Sequence, residues 1–375
     1  MNWQVPLADL DYGPEEEEAV LGVLRSRWLT MGAVTKEFEA RFAERHGAKH
    51  AIAVSNATQA LHLACVAAGL GPGDEAIVPS MTFVATANAV RYTGAEVRFA
   101  DITGPEELTL SPAGLEAAIT PQTRAILAMH YAGFPCRMEP IREIAHRKNL
   151  FLIEDAAHAP GASLNGRALG TWGDAGCFSF FSNKNLSTGE GGMVLTDRDD
   201  VAEKVRLLRS HGMTSLTLDR HEGRAYSYDV IALGYNYRID EIRSALGLAQ
   251  LAKLDRNNAL RRGFTHRYWE GLEGTGLGLP FLDTAGESSY HIMPVLLPAG
   301  VDRQAFIDRL RADGIQTSIH YPPVHLFSEY RARYPDVVLP HTEDAAAREL
   351  TLPLYPTMGE EKVDIVVEAV KRALG

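Results

Sequence analysis

Residues 152–196 read LIEDAAHAPGASLNGRALGTWGDAGCFSFFSNKNLSTGEGGMVLT, and this stretch decides the fold. An apolar run from Leu150 ends on Glu154 and Asp155, which is how a buried strand of an open α/β sheet terminates at its ligand-facing edge. Two further runs, Ala175 to Phe180 and Gly192 to Thr196, follow with a glycine-rich turn between them. Working outward, candidate strands stand at Ala51 to Ser55, Glu75 to Pro79, Glu96 to Ala100 and Arg124 to Met129. Ala60 to Ala68 and Glu139 to Arg147 carry apolar residues at helical spacing, and Ser111-Pro112 reads as a cap with a first-turn proline. Strands alternating with helices predict a doubly wound, mostly parallel sheet.

Beyond this unit, a long helix is expected from Asp240 to about Leu254, ending in the charged stretch Lys253 to Arg262. A smaller C-terminal α+β unit follows, with strands at His291 to Leu297 and near Gln316 to His320. Its helices are placed at Arg303 to Asp313 and Glu360 to Ala373. The expected division is a large domain over 1–255 and a small one over 256–375. A chain of 375 residues exceeds the size of one ordinary core, which agrees with two units.

Composition bounds the function. With 46% hydrophobic and 23% charged residues and no run long enough to span a bilayer, the chain reads as globular, without a membrane partner. Its first residues lack a basic start and apolar core, so a cytoplasmic location is expected. A formal net charge of −11 argues against nucleic acid as a partner. Cys65, Cys136 and Cys177 lie among apolar or small residues without CxxC spacing, so neither a disulfide nor a metal site is expected.

Three residues of the opening stretch carry chemistry. Asp155, at a strand end, suits a carboxylate set against the pyridine nitrogen of pyridoxal phosphate; alone, it reads equally as a helix cap. Lys184, in Ser182-Asn183-Lys184-Asn185, is the residue type that imine chemistry requires, although most lysines are solvated surface groups. Ser179 offers a hydroxyl to a phosphate, or is simply a satisfied strand residue. Upstream, Ser55-Asn56-Ala57-Thr58 follows a strand and opens a helix. The free amides of Ala57 and Thr58 suit a phosphate, the plain alternative being an ordinary capped helix.

Taken in order, these motifs resemble the DegT/DnrJ/StrS nucleotide-sugar aminotransferases, which have the aspartate-aminotransferase-like fold of pyridoxal-phosphate enzymes. Matching stretches are Trp28-Leu29-Thr30-Met31-Gly32, Asn56-Ala57-Thr58, Pro79-Ser80-Met81-Thr82-Phe83-Val84-Ala85-Thr86, Glu154-Asp155-Ala156-Ala157-His158 and Phe178-Ser179-Phe180. They continue through Lys184-Asn185-Leu186, Gly189-Glu190-Gly191-Gly192, His211-Gly212-Met213, Gly234-Tyr235-Asn236-Tyr237-Arg238 and His320-Tyr321-Pro322-Pro323. By this resemblance Lys184 would hold pyridoxal 5'-phosphate as a Schiff base, Asp155 would face the ring nitrogen, His158 would lie beside the cofactor and Phe83 would stack on it. Ala57, Thr58 and Ser179 would hold the phosphate, and Asn236 would reach that of the neighbouring subunit in a homodimer. Trp28, Thr30, His320, Tyr321 and His325 would fall near the sugar. Ala57 stands where the family more often has Gly, and His158 where Gln is common. Relatives that dehydrate carry His at the position of Lys184, so its presence implies transamination.

The implied reaction is ping-pong transfer from L-glutamate to a nucleotide-linked keto sugar, most simply at C4 of a 4-keto-6-deoxy sugar. A 3-keto sugar or keto-cyclitol is the first alternative. An elimination that releases ammonia and a non-catalytic binding protein of the same fold are the others. Arg220 and Arg224 are candidate partners of a substrate diphosphate, or solvated loop charges.

Overall fold

The computed structural model describes residues 3–215, 223 and 225–375. Seven strands form one sheet: β1 (His50–Val54), β2 (Glu75–Pro79), β3 (Glu96–Ala100), β4 (Thr123–Met129), β5 (Phe151–Asp155), β6 (Ala175–Ser179) and β7 (Gly192–Thr196). Their order in space is β1-β7-β6-β5-β4-β2-β3. From β6 to β3 all pairings are parallel, and β7 runs antiparallel to both β6 and β1. The doubly wound, mostly parallel sheet is therefore present.

Successive side chains point to opposite faces of a strand, and both faces here are covered. Ile126 and Leu152 join Phe38, Phe42 and Phe178 on one side, while their neighbours Leu127 and Ile153 join Leu61 and Val205 on the other. This two-sided burial is why the strands are continuous apolar runs. It also gathers chain ends: Gly192 sits opposite both Val54 and Ser179, and Asp155 opposite both Cys177 and Met129. The last residues of β1, β4, β5 and β6 thus share one edge.

The long helix runs from Glu241 to Leu272, not to about Leu254, so position 255 falls inside one continuous helix. Asp240 caps it by accepting from the Arg243 amide. The charged stretch continues the helix because Leu254, Asn257, Arg261, Phe264, Tyr268 and Leu272 keep a buried stripe at three- and four-residue spacing, with the remaining charges outside. Tyr268 and Leu272 enter a separate core with Phe306, Leu310, Val363 and Val366, contributed by the helices Arg303–Ala312 and Gly359–Leu374. This core packs beside the antiparallel pair β8 (Met293–Leu296) and β9 (Glu349–Leu352).

The strand expected near Gln316 to His320 does not form. Ser318 makes one bridge to Thr351, and the next amide in register, that of His320, is taken by the Glu349 side chain, 2.8 Å away, which ends the pairing. All three cysteines are buried and free. Among the described residues no helix is long and apolar enough to cross a membrane, and no group of side chains is suited to a metal ion.

Candidate active site

Asp155 is 4% exposed at the end of β5. Its Oδ2 accepts a 2.7 Å hydrogen bond from the Thr86 hydroxyl and its Oδ1 accepts from the Ala157 amide at 3.2 Å. Burial pushes its carboxyl above the usual range; the two donors and the charge of Lys184 oppose the shift. Lys184 lies in the loop between β6 and β7, pinned by its amide to the Phe181 carbonyl at 2.9 Å. Burial brings its amine down to about 7 despite the attraction of Asp155. A neutral, nucleophilic amine is therefore accessible near neutral pH.

Three imidazoles surround this lysine. His291 places Nε2 3.3 Å from Lys184 Nζ. His158 accepts the Ala132 amide on Nδ1 at 3.2 Å, so its ring hydrogen is on Nε2, 2.9 Å from the Tyr321 hydroxyl. His320 contacts Thr351 Oγ1 through Nδ1 at 2.8 Å, and its carbonyl accepts from the Tyr131 hydroxyl. Burial, reinforced by the charge of Lys184, holds all three well below the ordinary histidine value, His320 at about 4. The pocket keeps its histidines neutral.

Phe83 is 56% exposed, with its ring 5.9 Å from that of Tyr321. Asn56 caps the helix Ala57–Ala67 by accepting from the Gln59 amide, and its carbonyl takes the Ala60 amide. The amides of Ala57 and Thr58 are left for an incoming anion. Ser179 is nearly buried beside them, its hydroxyl oxygen accepting from the Phe181 amide at 3.3 Å. Gly192 lets this turn approach the sheet, because a Cβ there would fall 2.8 Å from the Ala57 nitrogen.

The structure thus brings Asp155, His158, Lys184, His320 and Tyr321 together. It adds Tyr131 and His291, which no motif of the sequence contains, and gives partners in the site to Thr86 and Asn185, which the motifs contain without a role. His325 is buried elsewhere, with its ring nitrogens occupied by Ser80 Oγ at 2.7 Å and Glu343 Oε1 at 3.1 Å. Thr30 pairs with Asp240 at the cap of the long helix, and Trp28 lies against Gly32 in the same corner. Asn236 is exposed, its backbone bridged to Ser210. Arg220 and Arg224 lie outside the described residues.

A desolvated lysine amine facing a buried carboxylate, with an amide cradle at the same sheet edge, defines an enzyme built for imine chemistry on a phosphorylated cofactor. The chain belongs to the DegT/DnrJ/EryC1/StrS aminotransferase family, whose model matches residues 11–371. It is a pyridoxal-phosphate-dependent sugar aminotransferase. It is 40% identical over 367 residues to the spore coat polysaccharide biosynthesis protein SpsC of Bacillus subtilis, covering 96% of this chain and 94% of that protein. The crystal structure of S. venezuelae DesV in complex with a ketimine intermediate matches with a TM-score of 0.89 and 36% identity, over 96% of this chain and 94% of DesV. That of DesI in the presence of its TDP-sugar product also gives 0.89, at 34% identity over 100% and 93% of the two chains.

Proposed function

We propose that this protein transfers an amino group from L-glutamate to the keto group of a nucleotide-linked sugar, at C4 of a 4-keto-6-deoxy sugar, in the cytoplasm and as a homodimer. The observation that carries the reading is the Lys184 amine, desolvated to about 7 and opposed by buried Asp155. The TDP-sugar product of DesI supports the nucleotide sugar, and the relation to SpsC supports a role in polysaccharide assembly.

Bound pyridoxal phosphate supplies the electron sink that lets a proton leave the carbon bearing nitrogen. Asp155 would face its ring nitrogen, and the Ala57 and Thr58 amides with the Ser179 hydroxyl would hold its phosphate. Phe83 offers an exposed ring for stacking. Lys184, once free, is a base near neutrality and would carry the proton between the two carbons of each half-reaction. The Tyr321 oxygen accepts from His158, which leaves its own hydrogen directed to whatever enters the pocket. Tyr226, Val230, Ile231 and Leu233 are exposed apolar residues a few positions before Asn236. A run of this kind suits a subunit interface that would deliver Asn236 to the neighbouring phosphate.

The test is amination of a panel of sugar nucleotides by the cofactor-loaded enzyme with L-glutamate, next to Lys184→Ala. Turnover of 4-keto-6-deoxy sugars that the variant lacks is the expected result. Turnover confined to 3-keto sugars or keto-cyclitols would move the substrate assignment. Ammonia release without glutamate consumption would overturn the reaction class.

A further inference from the structure

We propose that His291 is a positioning residue for Lys184, a neutral imidazole whose Nε2 lone pair fixes the direction of the lysine amine. The proposal rests on the reading of Lys184 as the lysine that carries the cofactor.

Its ring protonation follows from a chain of hydrogen bonds that ends on backbone carbonyls. Asn258 Nδ2 donates to the Pro160 carbonyl at 2.9 Å, so Asn258 turns its Oδ1 toward Asn185. Asn185 Nδ2 donates to that oxygen at 2.8 Å and to the Ser289 carbonyl at 2.6 Å. Both amide hydrogens are then used on groups that only accept, which leaves Asn185 Oδ1 as the atom 2.9 Å from His291 Nδ1. An amide oxygen has no hydrogen to give, so Nδ1 carries the ring hydrogen. Nε2 therefore faces Lys184 Nζ as an acceptor, at 3.3 Å.

The surroundings hold that state. The His291 carbonyl accepts from buried Arg261 at 3.1 Å, and its ring centroid is 4.3 Å from that of His158. The groups facing the lysine are Asp155, His158, His291 and His320, with Arg261 behind His291, so a positive charge on His291 would stand between the Lys184 amine and the Arg261 guanidinium. The chain is also a dead end for protons, because Nδ1–H stops on an amide oxygen. His291 can aim the lysine but cannot carry its proton away.

The experiment uses the full chain stripped of cofactor and two readouts independent of turnover. In protein labelled with nitrogen-15 in its histidines, His291 is expected to show a protonated Nδ1 and an unprotonated Nε2 from pH 6 to 8, assigned by comparison with His291→Gln. The pH midpoint for acetylation of Lys184, read by peptide mass spectrometry, should fall by about one unit in His291→Phe, because the lost acceptor favours the charged amine. His291→Gln, which keeps an acceptor oxygen, should restore most of it. A protonated Nε2 in the wild type, or an unchanged midpoint in folded His291→Phe, overturns the proposal. Should His291→Phe fail to fold, the wild-type nitrogen spectrum decides. Borohydride trapping of the cofactor on Lys184 separately tests the reading beneath it: trapping elsewhere removes that reading, whereas trapping on Lys184 with either negative result removes only the role of His291.

Discussion

Gly192 stands against Asn56 so closely that a Cβ on the glycine would lie 2.6 Å from the Asn56 carbonyl carbon and 2.8 Å from the amide nitrogen of Ala57. The same glycine is opposite Val54 on one side and Ser179 on the other. The three segments assigned to the phosphate therefore meet at a residue with no side chain. Gly192→Ala should push the turn outward and weaken pyridoxal phosphate binding on the order of ten-fold, the equivalent of about 1.4 kcal/mol, measured by absorbance titration. Gly189→Ala is the control: its φ of +78° costs about 1 kcal/mol of stability, but nothing lies within 4 Å of the new methyl, so cofactor affinity should hold. Equal affinity in both variants would detach the turn from the phosphate.

The Thr86 hydroxyl is the side-chain donor that supports the Asp155 carboxylate. A hydrogen bond to a charged group contributes about 1.5–3 kcal/mol, and its loss in Thr86→Val falls on the ionised form only. Burial already raises the Asp155 carboxyl, so removing the donor raises it further. The acid limb of the kcat/KM profile should shift to higher pH in Thr86→Val and return in Thr86→Ser. An unshifted limb would show that Asp155 ionisation does not govern it.

How far the site could be read in the sequence depended on where each partner lay. Asp155 and Lys184 were legible because a strand end and a glycine-rich return mark them locally. Thr86 and His291 act across 69 and 107 positions, from Asp155 and Lys184 respectively, and no local pattern encodes such contacts. The strands were legible because two-sided burial leaves continuous apolar runs. The second half of the long helix was hidden by its charges, which fill the solvent side while a sparse buried stripe continues to Leu272. His325 shows the converse, since a histidine beside a recognisable motif has both ring nitrogens engaged away from Lys184.

Glu349 is fully buried, accepting from the Thr351 hydroxyl at 2.6 Å and from the His320 amide at 2.8 Å. Burial pushes its carboxyl up to about 8. A raised folded-state value means that its contribution to stability is complete below the unfolded-state value and is lost as pH rises through about 8. Wild-type stability should therefore drop relative to Glu349→Gln by on the order of 2 kcal/mol between pH 6 and 8 and level off above. Urea unfolding at pH 6, 7, 8 and 9 measures it; parallel curves would mean that Glu349 is ionised throughout.

Asn236 is exposed in the isolated chain, and the apolar side chains Ile231 and Leu233 just before it are 63% and 91% exposed. If these side chains form the subunit interface, Ile231→Asp with Leu233→Asp should yield monomers by analytical ultracentrifugation, with reduced activity. Subunit mixing then tests whether each site takes Lys184 from one chain and Asn236 from the other. Lys184→Ala and Asn236→Ala are each expected to be strongly impaired. In a hybrid, the chain that retains Lys184 faces the chain that retains Asn236, so one of its two sites is complete. With random exchange half the dimers are hybrids, and mixing the two variants should recover about one quarter of wild-type activity. No recovery despite confirmed exchange would place Asn236 and Lys184 in the same subunit's site, and the interface would then have to act on stability alone.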